Sequence, residues 1–266
     1  MGYFDFLESR RSGPETIFGK RLQTSTKVNG VLIPSNNLQA SLNRFAQNLI
    51  RFTHDADYKV QLIGSATGLD YRGAKFIVST MHQVKNVDPR DVGIIVPVKS
   101  SYISSAGFTC FHDSGPMKES DAQDLCAFDF TDQVAKNPVL ERRFFKLGSD
   151  VFLADDDEVV AYLAYGCPFS DQRYNIVEDN HLGLVTRSMT CKSGDISSDL
   201  SLGQCKLISQ MEFDPNGLSG GPVFATVVTG AELPLKFAGI INRSGSGTIH
   251  FLKAEAVQNL LDLSFR

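Results

Sequence analysis

The sequence has no surplus of positive charge. Its 26 lysines and arginines face 30 aspartates and glutamates, giving a formal net charge of −4 and a pI near 5.7. Such a balance leaves no broad basic surface for a phosphate backbone, which argues against nucleic acid as the main partner. No apolar run approaches the ~18 residues of a membrane span, so no membrane association is expected. The C-x-x-C spacing is missing too. The five cysteines, Cys110, Cys126, Cys167, Cys191 and Cys205, are odd in number and scattered. That disfavours a disulfide scaffold or a zinc ribbon and favours reduced, buried thiols in a cytoplasmic protein. The opening MGYFDFLESRR places acids ahead of its basic pair and has no long apolar stretch, so no secretory signal is expected there. Phe6 breaks the myristoylation pattern. There is no internal repeat and no low-complexity tract.

What is present is globular composition. Hydrophobic residues make up 42% and charged residues 21% of 266, too apolar for a disordered chain. That length holds one large domain or two small ones. Leu38, Leu42, Phe45, Leu49 and Phe52 recur at steps of four and three. This predicts an amphipathic helix within an N-terminal extension, residues 1–57, capped by Ser35, Asn36 or Asn37. Its apolar stripe docks on the body of the protein or receives a protein partner. Asn29-Gly30 is a hairpin turn signal.

From about residue 58 the period changes to two. Short Val-, Ile-, Phe- and Tyr-rich segments follow at 58–69, 74–80, 92–98, 106–111, 124–130, 150–154, 159–166, 182–190, 205–213, 221–229, 236–242 and 248–252. Gly, Asp, Ser and Pro clusters separate them, and no helical crossovers intervene. The prediction is an all-β sandwich or barrel spanning 58–266, closed by an amphipathic helix from Ala254 to Leu263. The acidic run Asp155 to Glu158 lacks the ligand spacing of an EF-hand and reads as a solvated turn.

The run Asn216-Gly-Leu-Ser-Gly-Gly-Pro-Val-Phe224 is the most informative. Glycines at 217, 220 and 221 admit backbone angles closed to other residues. Such a turn exposes the Ser219 hydroxyl and aims the amides of Gly217, Leu218 and Ser219 inward, as a developing oxyanion requires. An ordinary glycine-rich turn with an incidental serine is the alternative. A serine hydroxyl needs a base. Of the five histidines, His54, His82, His112, His181 and His250, His82 stands out because it ends the apolar run that starts at Ala74. Asp124, ahead of Leu-Cys-Ala-Phe128, is the orienting carboxylate, with Asp121 and Asp129 as rivals.

These residues resemble the trypsin/chymotrypsin-like serine peptidases. The family's T-A-A-H strand end appears as Ser79-Thr-Met-His82, its D-I-A-L-L strand as Asp124-Leu-Cys-Ala-Phe128, and its G-D-S-G-G-P turn as Gly217-Leu-Ser-Gly-Gly-Pro222. Ala164-Tyr-Gly-Cys-Pro168 looks like the G-Y-P segment of bacterial HtrA-like members, here without a PDZ module. Phe237-Ala-Gly-Ile-Ile-Asn242 looks like the G-I-V-S strand that lines the specificity pocket. The resemblance spans about residues 58–263. It implies two antiparallel six-stranded β-barrels with the active site between them, a His82–Asp124–Ser219 triad, a polypeptide substrate, and no cofactor or metal. It also implies specificity positions at Phe213, Ile241, Asn242 and His250, where His250 would read an acidic or amide side chain and Phe213 an apolar one.

Two departures bear on control. Leu218 stands where digestive members carry the aspartate of zymogen activation, so that ion pair cannot form. Gln83 stands where the family has a disulfide cysteine. A catalytically silent relative that binds a peptide in the same cleft is the alternative function. An α/β-hydrolase is disfavoured, because its chain order is Ser, Asp, His and it needs alternating helices.

Overall fold

Asn29 and Gly30 both take left-handed backbone, with φ of 49° and 86°. They fold β1 (Ser25–Val28) onto β2 (Val31–Pro34) as an antiparallel hairpin. The structure is a computed structural model that describes residues 25–96, 101–111, 121–175, 181–229 and 233–265. The first 24 residues and His112 lie outside these.

The predicted long N-terminal helix is short. Helix α1 covers Ser35–Leu42, with Leu38 and Leu42 buried, and a single 3₁₀ turn carries Phe45. Then the chain extends into β3 (Ala46–Phe52). The apolar stripe therefore belongs to two elements: Leu38, Leu42 and Phe45 follow helical spacing, whereas Leu49 and Phe52 lie on a strand. Residues 46–50 are buried without alternation, as a central strand covered on both faces requires. This strand pairs with β4 (Val60–Tyr71), so residues 46–52 are an integral part of the first sheet.

That sheet also contains β5 (Ala74–Thr80), β6 (Val92–Val96), β7 (Ser101–Ser104), β8 (Gly107–Cys110), β9 (Leu125–Asp129) and β10 (Phe145–Leu147). The order is β7-β6-β3-β4-β5-β9-β8, with β10 added in parallel on β4. Helix α2 (Met81–Val84) follows β5 and helix α3 (Thr131–Lys136) follows β9. The second unit contains β11 (Val159–Gly166), β14 (Arg187–Ser193), β15 (Leu202–Leu207), β16 (Pro222–Val227), β17 (Leu235–Gly245) and β18 (Thr248–Lys253), with a small hairpin of β12 (Arg173–Asn175) and β13 (His181–Gly183) inserted between β11 and β14. It closes as a barrel in the order β11-β14-β15-β18-β17-β16. The fold is all-β, but the expectation of two closed barrels needs correction. Closing the first sheet would require its end strands β7 and β8, four residues each, to pair, and no ladder joins them among the described residues. The stretch 150–154 also forms no strand; Phe152 makes a lone bridge to Phe237.

Aromatic rings join the two units. Phe45 and Phe145 from the first half meet Phe224 and Phe237 from the second. Ring centroids lie 5.3 Å apart for Phe45–Phe145, 4.9 Å for Phe145–Phe224 and 6.0 Å for Phe224–Phe237. All four are at most 2% exposed, and edge-on pairs of this kind each add about 0.5–1.5 kcal/mol beyond area burial. Helix α4 (Ala254–Leu263) buries Ala256, Val257, Leu260 and Leu261 and reaches back to the first half. The Tyr71 hydroxyl donates to Asp262 Oδ1 at 2.9 Å. The acidic run after Ala154 is a turn in which Asp157 accepts the Ala154 N–H and Asp155 pairs with Lys253. Among the described residues no helix is long and apolar enough to cross a membrane.

Candidate active site

The β5–β9 ladder sets the first two residues of the site. Thr80 pairs with Leu125, and one step further Met81 N donates to the Asp124 carbonyl at 3.0 Å. This register leaves Asp124 opposite the start of α2, where His82 stands. The Asp124 carboxylate accepts twice from His82: from the backbone N–H at 2.8 Å and from Nδ1 at 2.6 Å. A carboxylate offers only acceptors, so Nδ1 carries a proton, and in the neutral imidazole that leaves the lone pair on Nε2. Thr80 Oγ1 lies 3.5 Å from Nε2. The rivals are engaged elsewhere. Asp129 accepts the Thr131 N–H, and Asp121 pairs with Arg243 at 2.9 Å. Among the other histidines, His54 pairs with Asp91 at 3.3 Å.

Ser219 comes from the second half, on the turn before β16. It shares one cavity of about 560 Å³ with His82, whose other lining residues include Phe169, Gly217, Asn242 and Arg243. The Ser219 hydroxyl donates to the Asn242 carbonyl at 2.6 Å. Gly217 and Gly220 hold φ of 96° and 87°, a region that other residues enter only with strain. Leu218 N donates to Pro215 O at 3.1 Å and Gly220 N to Ile241 O at 2.8 Å. The Leu218 amide is thus occupied, which corrects its placement among inward amides. Among the described residues the Gly217 and Ser219 N–H groups meet no acceptor. Two unpaired donors beside a hydroxyl suit an oxyanion.

The Leu218 side chain is fully buried among Ala164, Val223 and Ile241 of the barrel core. Where the resembling family uses an ion pair, this turn has an apolar anchor. Burial of a leucine side chain contributes roughly 1.5–3 kcal/mol.

Of the specificity positions, Asn242 lines the cavity at a bulge in β17, a place where strands re-aim side chains. Phe213 lines a neighbouring cavity of about 450 Å³ with Met211 and Pro215. Ile241 is buried in the barrel and His250 lines neither cavity. Burial holds the His250 imidazole below its ordinary 6.5, with Arg243 acting in the same direction. The thiols nearby are poor nucleophiles. Burial pushes Cys126 far up, assisted by the Asp124 charge, and pushes Cys167 up to about 11.

Sequence reasoning missed Ser65 and Thr67. Both hydroxyls reach the Ser219 turn, at the Gly217 carbonyl (2.5 Å) and the Gly220 carbonyl (2.8 Å). Their spacing of two on an apolar strand is the signal: it places both on one face.

No protein-family model matches the chain, and no curated relative matches it. Solved structures do. A mutant of human heparin binding protein aligns at 11% identity with a TM-score of 0.52, over 84% of this chain and 93% of that one. A scabies mite inactivated protease paralogue aligns at 10% identity and a TM-score of 0.47, over 84% of this chain and 96% of that one. The VesB protease of Vibrio cholerae aligns at 12% identity and a TM-score of 0.46, over 92% of this chain and 68% of that one. At such identities likeness speaks to the fold alone, and the first of these matches the closed barrel and curled sheet found here: the chain has the chymotrypsin-like fold.

Proposed function

We propose that the chain is a serine endopeptidase. One observation carries the reading: His82, whose Nδ1 is held by Asp124, borders a single cavity with Ser219 and Gly217, whose two amides meet no acceptor among the described residues. In this mechanism the Ser219 hydroxyl leaves the Asn242 carbonyl and turns to His82 Nε2 across the cavity that both residues line. His82 then removes its proton as Oγ attacks the scissile carbonyl. The resulting oxyanion accepts from the N–H groups of Gly217 and Ser219. His82 returns the proton to the leaving amine, and water enters by the same route to release the acyl group. Asp124 holds the imidazole tautomer throughout.

The present Ser219–Asn242 hydrogen bond favours a second reading, a silent relative that binds peptide in the cleft. A fluorescent fluorophosphonate separates the two, because it needs an activated serine and an oxyanion hole but no particular substrate. Labelling of wild type and none of Ser219→Ala is expected. Folded wild type that stays unlabelled would move the assignment to peptide binding.

A further inference from the structure

Every carbonyl that shapes the nucleophile turn from Gly217 to Gly220, other than that of Leu218, is held by a side chain from the other half of the molecule. Ser65 Oγ donates to Gly217 O at 2.5 Å and Thr67 Oγ1 to Gly220 O at 2.8 Å. Gln83 Nε2 donates to Ser219 O. The Leu218 carbonyl accepts Gly221 N within the turn at 3.1 Å. With these bonds in place, the amides left without acceptors are those of Gly217 and Ser219.

Gln83 is the unusual member. It follows His82 directly, so one short helix carries the base and a strut to the backbone of the nucleophile. The strut is itself fixed. Ser79 Oγ lies 3.2 Å from Gln83 Oε1 and 2.8 Å from Ser65 O, so its single proton is shared between two acceptors. On its other side the amide packs against Gly64, where an added Cβ would lie 2.5 Å from Oε1 and 2.8 Å from Cδ. The slot admits the glutamine because position 64 has no side chain.

We infer that Gln83 is a positioning residue that sets the nucleophile turn of Ser219 against His82, with Ser65 and Thr67 as its companions; its effect on turnover rests on the peptidase reading above. The primary amide does this because it donates to the turn and accepts from Ser79 at once. A hydrocarbon of equal length does neither, and a carboxylate offers no donor when ionised.

The experiment compares wild type, Gln83→Met and Gln83→Glu in two measurements on the same samples: fluorophosphonate labelling rate, and amide hydrogen exchange across 217–221. Gly220 N–H bonds Ile241 O and Gly221 N–H bonds Leu218 O, so both report the turn. The expected result is at least tenfold faster exchange at Gly220 and Gly221 in both variants, with β11 and β14 protected as in wild type. Labelling should fall at least tenfold in parallel. Once a substrate is known, the loss should appear in kcat and leave KM within about twofold. Wild-type exchange at Gly220 and Gly221 in both variants overturns the inference, whatever the labelling does. Wild type that fails to label counts against the peptidase reading alone, and the exchange measurement still decides the strut. Gly64→Ala, which crowds the amide from behind, should give the same exchange signature without touching Gln83 itself.

Discussion

The side chain of Leu218 lies against the backbone of Gly166, so closely that a Cβ at position 166 would sit 2.7 Å from Leu218 Cδ2. The residue before Ser219 is thereby seated in the barrel wall instead of being held by charge. Leu218→Ala should cost about 2–5 kcal/mol by loss of transfer energy and creation of a cavity. It should also loosen the turn, so denaturant midpoint and labelling rate fall together. Full labelling by a destabilised variant would separate the anchor from the chemistry.

Asp124→Asn keeps the shape of the carboxylate but can present an N–H to His82 Nδ1. The imidazole is then driven to the wrong tautomer. Turnover should drop by roughly 10⁴, with the fold unchanged by circular dichroism. A drop of less than tenfold would assign the orienting role elsewhere.

Two glycines near the site should behave oppositely. A Cβ at Gly221 would lie 1.9 Å from the Tyr165 carbonyl, whereas one at Gly245 meets nothing within 4 Å. Gly221→Ala pits backbone against backbone, so a loss of about 3 kcal/mol or more is expected. Gly245→Ala should stay within about 0.5 kcal/mol. Equal denaturation midpoints for the two variants would contradict the packing described here.

His250 makes acid stability measurable. Its pKa is depressed by burial first and by Arg243 second, against an opposing pull from Asp121. The folded state therefore binds fewer protons than the unfolded chain, for which the ordinary value is 6.5. Stability is fully present above that value and declines as pH falls through the lowered folded value. Wild type should lose more stability than His250→Asn between about pH 7.5 and 5. Parallel curves for the two proteins would remove His250 from the account.

Much of the architecture was legible in local pattern. The strands at 74–80 and 159–166 and the helix at 254–263 coincide with β5, β11 and α4, because the strands are compact apolar runs that follow turn residues and the helix carries its apolar residues on one face. The stretch 38–52 was not. Leu49 and Phe52 continue a helical spacing by coincidence, and only pairing with β4 and β6 reveals a strand. Closure of one sheet and not the other depends on long-range ladders, to which local periodicity is blind. At the site, the order of His82, Asp124 and Ser219 was readable, as were the glycines of the turn. Ser65, Thr67 and Gln83 were not identified as holding that turn. A hydroxyl on a strand looks the same in sequence whether it faces water or a carbonyl 152 residues away.

The three side chains that reach across to the Ser219 turn give the cleft the logic of an AND gate. On the peptidase reading one half would supply the proton acceptor and the other the attacking hydroxyl, and the turn that carries the hydroxyl is bonded to the first half through Ser65, Thr67 and Gln83. Separating the halves by an ångström or two would not merely lengthen the distance between reacting groups. It would release the carbonyls of Gly217, Ser219 and Gly220 and erase the pair of inward amides. On the same reading, whatever presses the halves together or levers them apart would act on the chemistry through these three bonds.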